Sequence, residues 1–222
     1  MSPPHPPTRG GPISAPTPAT WAYAENFVTD DDVLARARAR AQELGCVAVL
    51  PGVGAVLRVL AATLAARSVV EIGTGAGVSG IYLLRGMPED GVLTTIDVEA
   101  ENQRAAREAF AEEGVRPNRT RLISGRALDV LPRLTDSAYD LVLLDAEKTE
   151  YEAYLDQALR LLRPGGVLAV DNALWKGKIA DPAQRDPTTT AIRELGKRVR
   201  SNRRLVPAML PCGDGLLVAV AH

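Results

Sequence analysis

Two short segments carry the residues best suited to chemistry: Asp145-Ala146-Glu147-Lys148 and Asp171-Asn172-Ala173-Leu174-Trp175. Each closes an apolar run, residues 139–145 and 166–171, of the length and composition expected of a buried strand. If the two strands are neighbours, Asp145, Asp171 and Asn172 converge as two carboxylates and one amide carbonyl. Such a set suits a hard divalent cation, above all Mg²⁺, which takes oxygen ligands and keeps positions for water or substrate. No histidine or cysteine is near in sequence, and His5 and His222 lie at the two ends of the chain, so zinc is not expected. Any one of these residues alone is more simply a cap after a strand; the metal reading rests on their coincidence. Lys148, three residues beyond Asp145, aims at the same pocket. A dication disfavours a neighbouring ammonium, which makes Lys148 the candidate base.

A second group surrounds the glycine turn Glu71-Ile72-Gly73-Thr74-Gly75-Ala76-Gly77. Glycines let the backbone turn tightly and approach a ligand, and the helix that follows offers free N–H groups. Gly75-Ala76-Gly77-Val78-Ser79-Gly80 also satisfies the dinucleotide pattern G-x-G-x-x-G, so the glycines alone say only nucleotide. Glu71 tilts the choice: a carboxylate ahead of the turn repels a pyrophosphate but can hold the ammonium of a methionine tail. Ser79 can hydrogen-bond the carboxylate of that tail, or simply cap the helix. Asp97 ends the next strand about twenty residues on, where an acid accepts from both hydroxyls of a ribose. That position serves adenosine in general, nicotinamide dinucleotides included. In Gly125-Arg126-Ala127 a backbone amide and a small side chain can border an adenine ring; an ordinary loop reads nearly as well.

Holding these groups together requires several strand ends on one edge of a sheet. From residue 68 onward, short apolar runs alternate with helical stretches. Strands are expected at Ser68–Ile72, Val92–Asp97, 121–124, 139–145 and 166–171, with helices at 78–85, 100–113, 128–134 and 151–162. Leu141-Val142-Leu143-Leu144 is apolar at every position, the mark of a parallel strand covered on both faces. The alternation predicts a doubly wound, Rossmann-like α/β sheet whose ligands bind beyond the carboxyl ends of its strands. Two helices precede it, one capped at residues 29–32 and stopped by Gly45, the other over 53–66. After a further helix at 188–201, strands at 204–210 and Leu216–Ala221 are joined by Pro211-Cys212-Gly213-Asp214-Gly215. So short a link makes an antiparallel hairpin, because a parallel return needs a crossover. Five parallel strands closed by such a hairpin is the layout of a class I methyltransferase. A nicotinamide oxidoreductase would need a tyrosine–lysine pair or a cleft histidine, whereas Tyr151 and Tyr154 fall on a helix.

Bulk properties narrow the partners. The 222 residues are 46% hydrophobic and 24% charged with a net charge of −1, enough for one large domain and without an electrostatic footprint for nucleic acid or a membrane surface. No apolar run approaches the roughly 20 residues that span a bilayer, and no signal peptide is expected. Cys46 and Cys212, the only two cysteines, read as reduced packing residues of a cytoplasmic protein. Residues 1–20, with prolines at 3, 4, 6, 7, 12, 16 and 18, are expected to form a disordered arm, leaving 21–222 as a single domain.

In order along the chain, Glu71-Ile72-Gly73-Thr74-Gly75, Ile96-Asp97, Leu144-Asp145-Ala146-Glu147-Lys148 and Asp171-Asn172-Ala173-Leu174-Trp175 resemble the cation-dependent O-methyltransferases, the caffeoyl-CoA and catechol O-methyltransferase-like group. The segment Leu50-Pro51-Gly52-Val53-Gly54 looks like the bacterial members. The resemblance implies an S-adenosylmethionine-dependent domain with Val49, Glu71, Gly73, Thr74, Ser79, Asp97, Val98 and Ala127 at the cofactor. It further implies Asp145, Asp171 and Asn172 as ligands of a divalent cation and Lys148 as general base beside Asp145. The expected reaction is methyl transfer to a hydroxyl of a small catechol-like aromatic acceptor, and the expected assembly is a homodimer. One departure stands out: Glu147 replaces the aspartate usual in plant members, which leaves its role open.

Overall fold

The computed structural model describes residues 16–222, so residues 1–15 of the expected N-terminal arm lie outside the described residues. Order begins sooner than expected, because α1 (Pro18–Glu25) starts within the stretch read as an arm. The cause is local. Thr17 caps the helix by accepting from Thr20 N at 3.2 Å, and Pro18 sits in the first turn, where its missing N–H has no partner to lose. Next come α2 (Asp32–Glu43), capped by Asp31 through Leu34 N, and α3 (Pro51–Thr63). The last of these opens at a proline and stops ahead of Ala65, whose φ of +46° cannot continue a helix.

The predicted alternation then unfolds as β1 (Ser68–Ile72), α4 (Val78–Gly86), β2 (Val92–Asp97), α5 (Ala100–Glu112), β3 (Thr120–Ser124), α6 (Ala127–Val130), β4 (Tyr139–Leu144), α7 (Tyr151–Leu161), β5 (Leu162–Val170), α8 (Pro187–Ser201), β6 (Leu205–Leu210) and β7 (Leu216–Ala221). The sheet order is β3-β2-β1-β4-β5-β7-β6, with β1 to β5 parallel and β7 antiparallel to both its neighbours. This is the class I methyltransferase fold, five parallel strands and a closing hairpin. Two elements differ from expectation. The helix at 128–134 is only α6 followed by a 3-10 turn, Leu131–Arg133, because Pro132 has no N–H to continue the ladder. β5 begins at Leu162 instead of 166, pairing first with Tyr139 and then bulging; Gly165, at φ +78°, lets the extra chain out, and Arg163 ties it to Asp140 at 2.6 Å.

Both sheet faces are covered, as the all-apolar β4 requires. Val70, Val142, Leu144, Leu168 and Val170 face α7 and α8, while Val69, Leu141, Leu143 and Ala169 face α3, α4 and α5. Each fully buried leucine or valine contributes about 2 kcal/mol, so β4 is anchored from both sides and its C-terminal end is fixed. Gly54 of α3 lies so close to the Tyr82 ring of α4 that a Cβ there would stand 2.3 Å from it. No helix among the described residues is long and apolar enough to cross a membrane.

Candidate functional site

A cleft of about 1070 Å³ opens beyond the carboxyl ends of β1, β2, β4 and β5, where the parallel strands give way to their loops. Every residue proposed from the sequence except Glu71 lines it, and Glu71 lies directly beneath, fully buried at the end of β1. Thr95 Oγ1 donates to Glu71 Oε2 at 2.6 Å, while Oε1 has no hydrogen-bond partner. Burial pushes the Glu71 carboxyl up to about 7, against the opposing pull of the Ser79 and Thr95 hydroxyls. A carboxylate with a free buried oxygen is suited to receive a cationic group.

The turn above it is held by side chains. Gly73 adopts φ +99°, and a Cβ there would stand 2.0 Å from the Asp145 carbonyl oxygen, so the close passage of two strand ends requires glycine. Asp97 accepts from Thr74 N (3.1 Å), Gly75 N (2.9 Å) and Glu99 N (2.9 Å), with Asn102 Nδ2 at 3.3 Å. Strand position suggested a ribose acceptor; the geometry adds that the same carboxylate fixes the glycine turn. Thr74 is buried between Thr95 (2.6 Å) and Gln103 Nε2 (2.9 Å), which explains a threonine inside a glycine turn. Val49 and Ala127 are buried walls of the cleft, and Val98 is an exposed one.

On the other half of the sheet, β4 and β5 are hydrogen-bonded neighbours, as the convergence of Asp145 and Asp171 demanded. Lys148 Nζ donates to Asp145 Oδ1 at 3.0 Å and stands 5.1 Å above the Tyr151 ring; both partners of the ion pair are largely buried. Asp171 is 3% exposed, its Oδ2 accepting from Asn172 Nδ2 at 3.1 Å and its Oδ1 unpartnered. Asn172 takes the left-handed conformation at φ +57°, a strain asparagine tolerates and one common at ligand sites. Burial first, and the charge of Asp145 second, push Asp171 up to about 7; burial raises Asp145 as well, with Lys148 pulling it back. The open question of Glu147 has a plain answer. Its side chain accepts from Thr149 N (3.0 Å) and Thr149 Oγ1 (2.8 Å), capping the 3-10 turn Lys148–Glu150 that carries the lysine.

Among the described residues no group of three or more histidine, cysteine, aspartate or glutamate side chains is gathered for a metal, so a cation here would rest on two carboxylates and an amide. Several lining residues were not singled out from the sequence: Asn102, Arg126, Glu150, Tyr154 and the hairpin residue Asp214. Arg126 and Glu150 pair at 2.8 Å, and Glu150 also accepts from Tyr154 Oη at 2.5 Å, linking the loops after β3 and β4. The Arg126–Glu150 pair joins separate loops with no local signal to announce it, whereas Tyr154 meets Glu150 one helical turn away.

Comparison with known proteins agrees with this geometry. A family model described as O-methyltransferase matches residues 25–221. A Mycobacterium tuberculosis relative, assigned by name to the O-methyltransferases, is 49% identical over 219 residues, covering 99% of this chain and 98% of its own. The O-methyltransferase TomG from Streptomyces achromogenes, involved in tomaymycin synthesis and solved in complex with S-adenosylmethionine, superposes with a TM-score of 0.81 at 31% identity, covering 90% of this chain and 94% of TomG. An O-methyltransferase from Bacillus cereus, solved in complex with S-adenosylhomocysteine, gives 0.82 at 27% identity over 92% and 99% of the two chains. With sheet order, strand-end residues and near full-length similarity in accord, the chain belongs to the O-methyltransferase family.

Proposed function

We propose that this chain transfers a methyl group from S-adenosylmethionine to one hydroxyl of a vicinal aromatic diol, with a divalent cation at the paired carboxylates. The observation that carries the reading is Asp171, a buried carboxylate with one unpartnered oxygen beside a second, largely buried carboxylate at Asp145. Such a pair repels itself unless one member keeps its proton or a cation lies between, and oxygen-only donors fit Mg²⁺ better than zinc. Asp145, Asp171 and the carbonyl of Asn172 would hold it. When bound, the cation supplies positive charge that acidifies the acceptor hydroxyls and fixes their position. S-Adenosylmethionine supplies an electrophilic methyl group on sulfur.

The chain's own residues do the rest. Glu71, through its free Oε1, receives the ammonium of the methionine tail, and Ser79 hydrogen-bonds the carboxylate of that tail. Asp97 takes the ribose hydroxyls while keeping Thr74 and Gly75 in place, and Val49, Val98 and Ala127 wall the adenosine. Gly73 keeps the backbone low enough for close approach. Lys148 Nζ, steered by Asp145, is the group placed to accept the hydroxyl proton. Positioning and electrostatics then supply most of the acceleration.

One observation favours a metal-free alternative: the Lys148 ammonium already neutralises Asp145. Transfer of labelled methyl from S-adenosylmethionine to catechol and 3,4-dihydroxybenzoate, with Mg²⁺ or with excess EDTA, separates the two. We expect transfer to vicinal diols and not to the matching monohydric phenols, lost in EDTA and restored by excess Mg²⁺. Full activity in EDTA would remove the cation from the mechanism. Asp145→Asn should lower kcat/KM by about a thousandfold, and Ser79→Ala by about tenfold or less, since only the former touches the charge developed in the transition state.

A further inference from the structure

The segment between β5 and α8 leaves the site at Asn172 and returns to it at Thr188, and Trp175, Lys176 and Thr188 all line the cleft beside Asp171. Its backbone is strained, with Trp175 at φ +48° and Lys176 at φ +53°. Non-glycine residues stay in that region only where their surroundings hold them. On the cleft side the hold is direct: Trp175 and Ile179 pack against the core, and Asp214 of the hairpin accepts from Lys176 N at 2.6 Å and, through its carbonyl, from Leu174 N at 2.8 Å. Behind the segment lies a second cavity of about 440 Å³, lined by Ala173, Ile179, Arg193 and Gly196 among others. Gly196, in the interior of α8, has nothing within 4 Å of where a Cβ would stand, so the helix face turned to this cavity is open.

One side chain bridges the gap. Arg193 Nε donates to the Ile179 carbonyl at 3.0 Å, Nη2 to the Lys178 carbonyl at 2.8 Å and to that of Asp181, and Nη1 to that of Gln184. Four carbonyls of one loop converge on one guanidinium, and among the described residues no carboxylate competes for it. The planar fork of arginine presents its donors in fixed directions, whereas lysine offers a point charge that cannot span four acceptors in a row.

We infer that Arg193 is a positioning residue for the acceptor-side wall of the cleft: it fixes the loop 178–184 from behind and so, together with Asp214 on the cleft side, sets where Trp175 and Lys176 stand. The wall would shape acceptor binding and leave cofactor binding alone, because Glu71, Asp97 and Ala127 lie on the other half of the sheet. The inference rests on the acceptor reading above only for the identity of the molecule that meets the wall.

The test compares wild type with Arg193→Lys and Arg193→Gln in three measurements. These are amide hydrogen exchange over 178–184, S-adenosylhomocysteine affinity by calorimetry, and methyl transfer to 3,4-dihydroxybenzoate. Arg193→Lys should exchange faster in that loop alone and keep its cofactor affinity. Its acceptor KM should rise about tenfold with kcat within about threefold, the signature of lost binding and not lost chemistry. Arg193→Gln should move the same quantities further. Unchanged loop exchange and KM would overturn the inference. So would a parallel loss of cofactor affinity and of protection across β4, which would make Arg193 a general stability residue. Wild type that methylates no diol would strike the acceptor reading instead, and loop exchange, needing no acceptor, would still decide whether Arg193 holds the loop.

Discussion

Glu71 and Asp171 are carboxyl groups that the fold buries while leaving one oxygen of each without a partner, and both are pushed up to about 7 by that burial. For Glu71 the consequence is a defined pH dependence. Between the usual glutamate range near 4.5 and about 7, the folded chain keeps a proton that the unfolded chain has released. Stability of the free protein therefore falls as pH rises through that window and levels off above it. For Glu71 alone the fall is on the order of 3 kcal/mol. Glu71→Gln should flatten it: thermal midpoints of wild type and variant should lie close at pH 5 and separate by pH 8, with the variant the more stable. The same substitution should weaken S-adenosylhomocysteine binding by about tenfold or more, because an amide cannot neutralise a buried ammonium. A variant no more stable at pH 8 would mean that Glu71 ionises in the fold at little cost. Stability surrendered for function is the expected mark of such a residue.

The elements show which parts of this account were legible in the sequence. Strands β1, β2, β4 and the hairpin fell within a residue of expectation because apolar runs and their polar ends are local signals. The placement of Asp97, Asp145 and Asp171 at strand ends facing the cleft was legible for the same reason, each being the residue at which such a run stops. What escaped reading depends on contacts across the chain. α1 was hidden by the prolines around it, although Thr17 and Pro18 are a sound helix start. Its last residue, Glu25, accepts from Gly52 N (2.6 Å) and Gly213 N (2.8 Å), a bond across most of the sequence. The close crossing of β1 and β4 escaped too, yet it yields a sharp prediction. Gly73→Ala combines a left-handed φ with a Cβ 2.0 Å from the Asp145 carbonyl, whereas Gly45→Ala has φ +70° with nothing within 4 Å. The second substitution should cost about 1 kcal/mol of backbone strain. The first adds a collision with backbone and should cost about 3 kcal/mol or more, a drop of roughly 6–12 °C in thermal midpoint for a domain of this size. Circular dichroism melts of the two variants compare them directly, and equal midpoints would show that β4 can move aside.

At the scale of the whole molecule, a chain of net charge −1 gathers Glu71, Asp145 and Asp171 on one edge of one sheet, through the adjacent strands β1, β4 and β5. Carboxylates so placed make the fold depend on what binds them. Asp171, pushed up to about 7 by burial and by Asp145, is largely protonated at pH 6, and a divalent cation at this site must displace that proton. Binding of Mg²⁺ should therefore strengthen as pH rises toward about 7 and change little beyond pH 8. Calorimetry in two buffers of different ionisation enthalpy reads the displaced proton directly: close to one more should be released per cation at pH 6 than at pH 8. The stabilising effect of the cation should follow, with a larger rise in thermal midpoint from saturating Mg²⁺ at pH 8 than at pH 6. Equal proton release at both pH values would mean that Asp171 does not take part, leaving the cation, if bound at all, to other oxygens. Because the same rise in pH also ionises Glu71, S-adenosylhomocysteine and Mg²⁺ together should restore at pH 8 most of the stability that the free protein loses between pH 5 and pH 7. On the function proposed above, one sheet edge would thus give up stability in the free protein and recover it with cofactor and cation both in place.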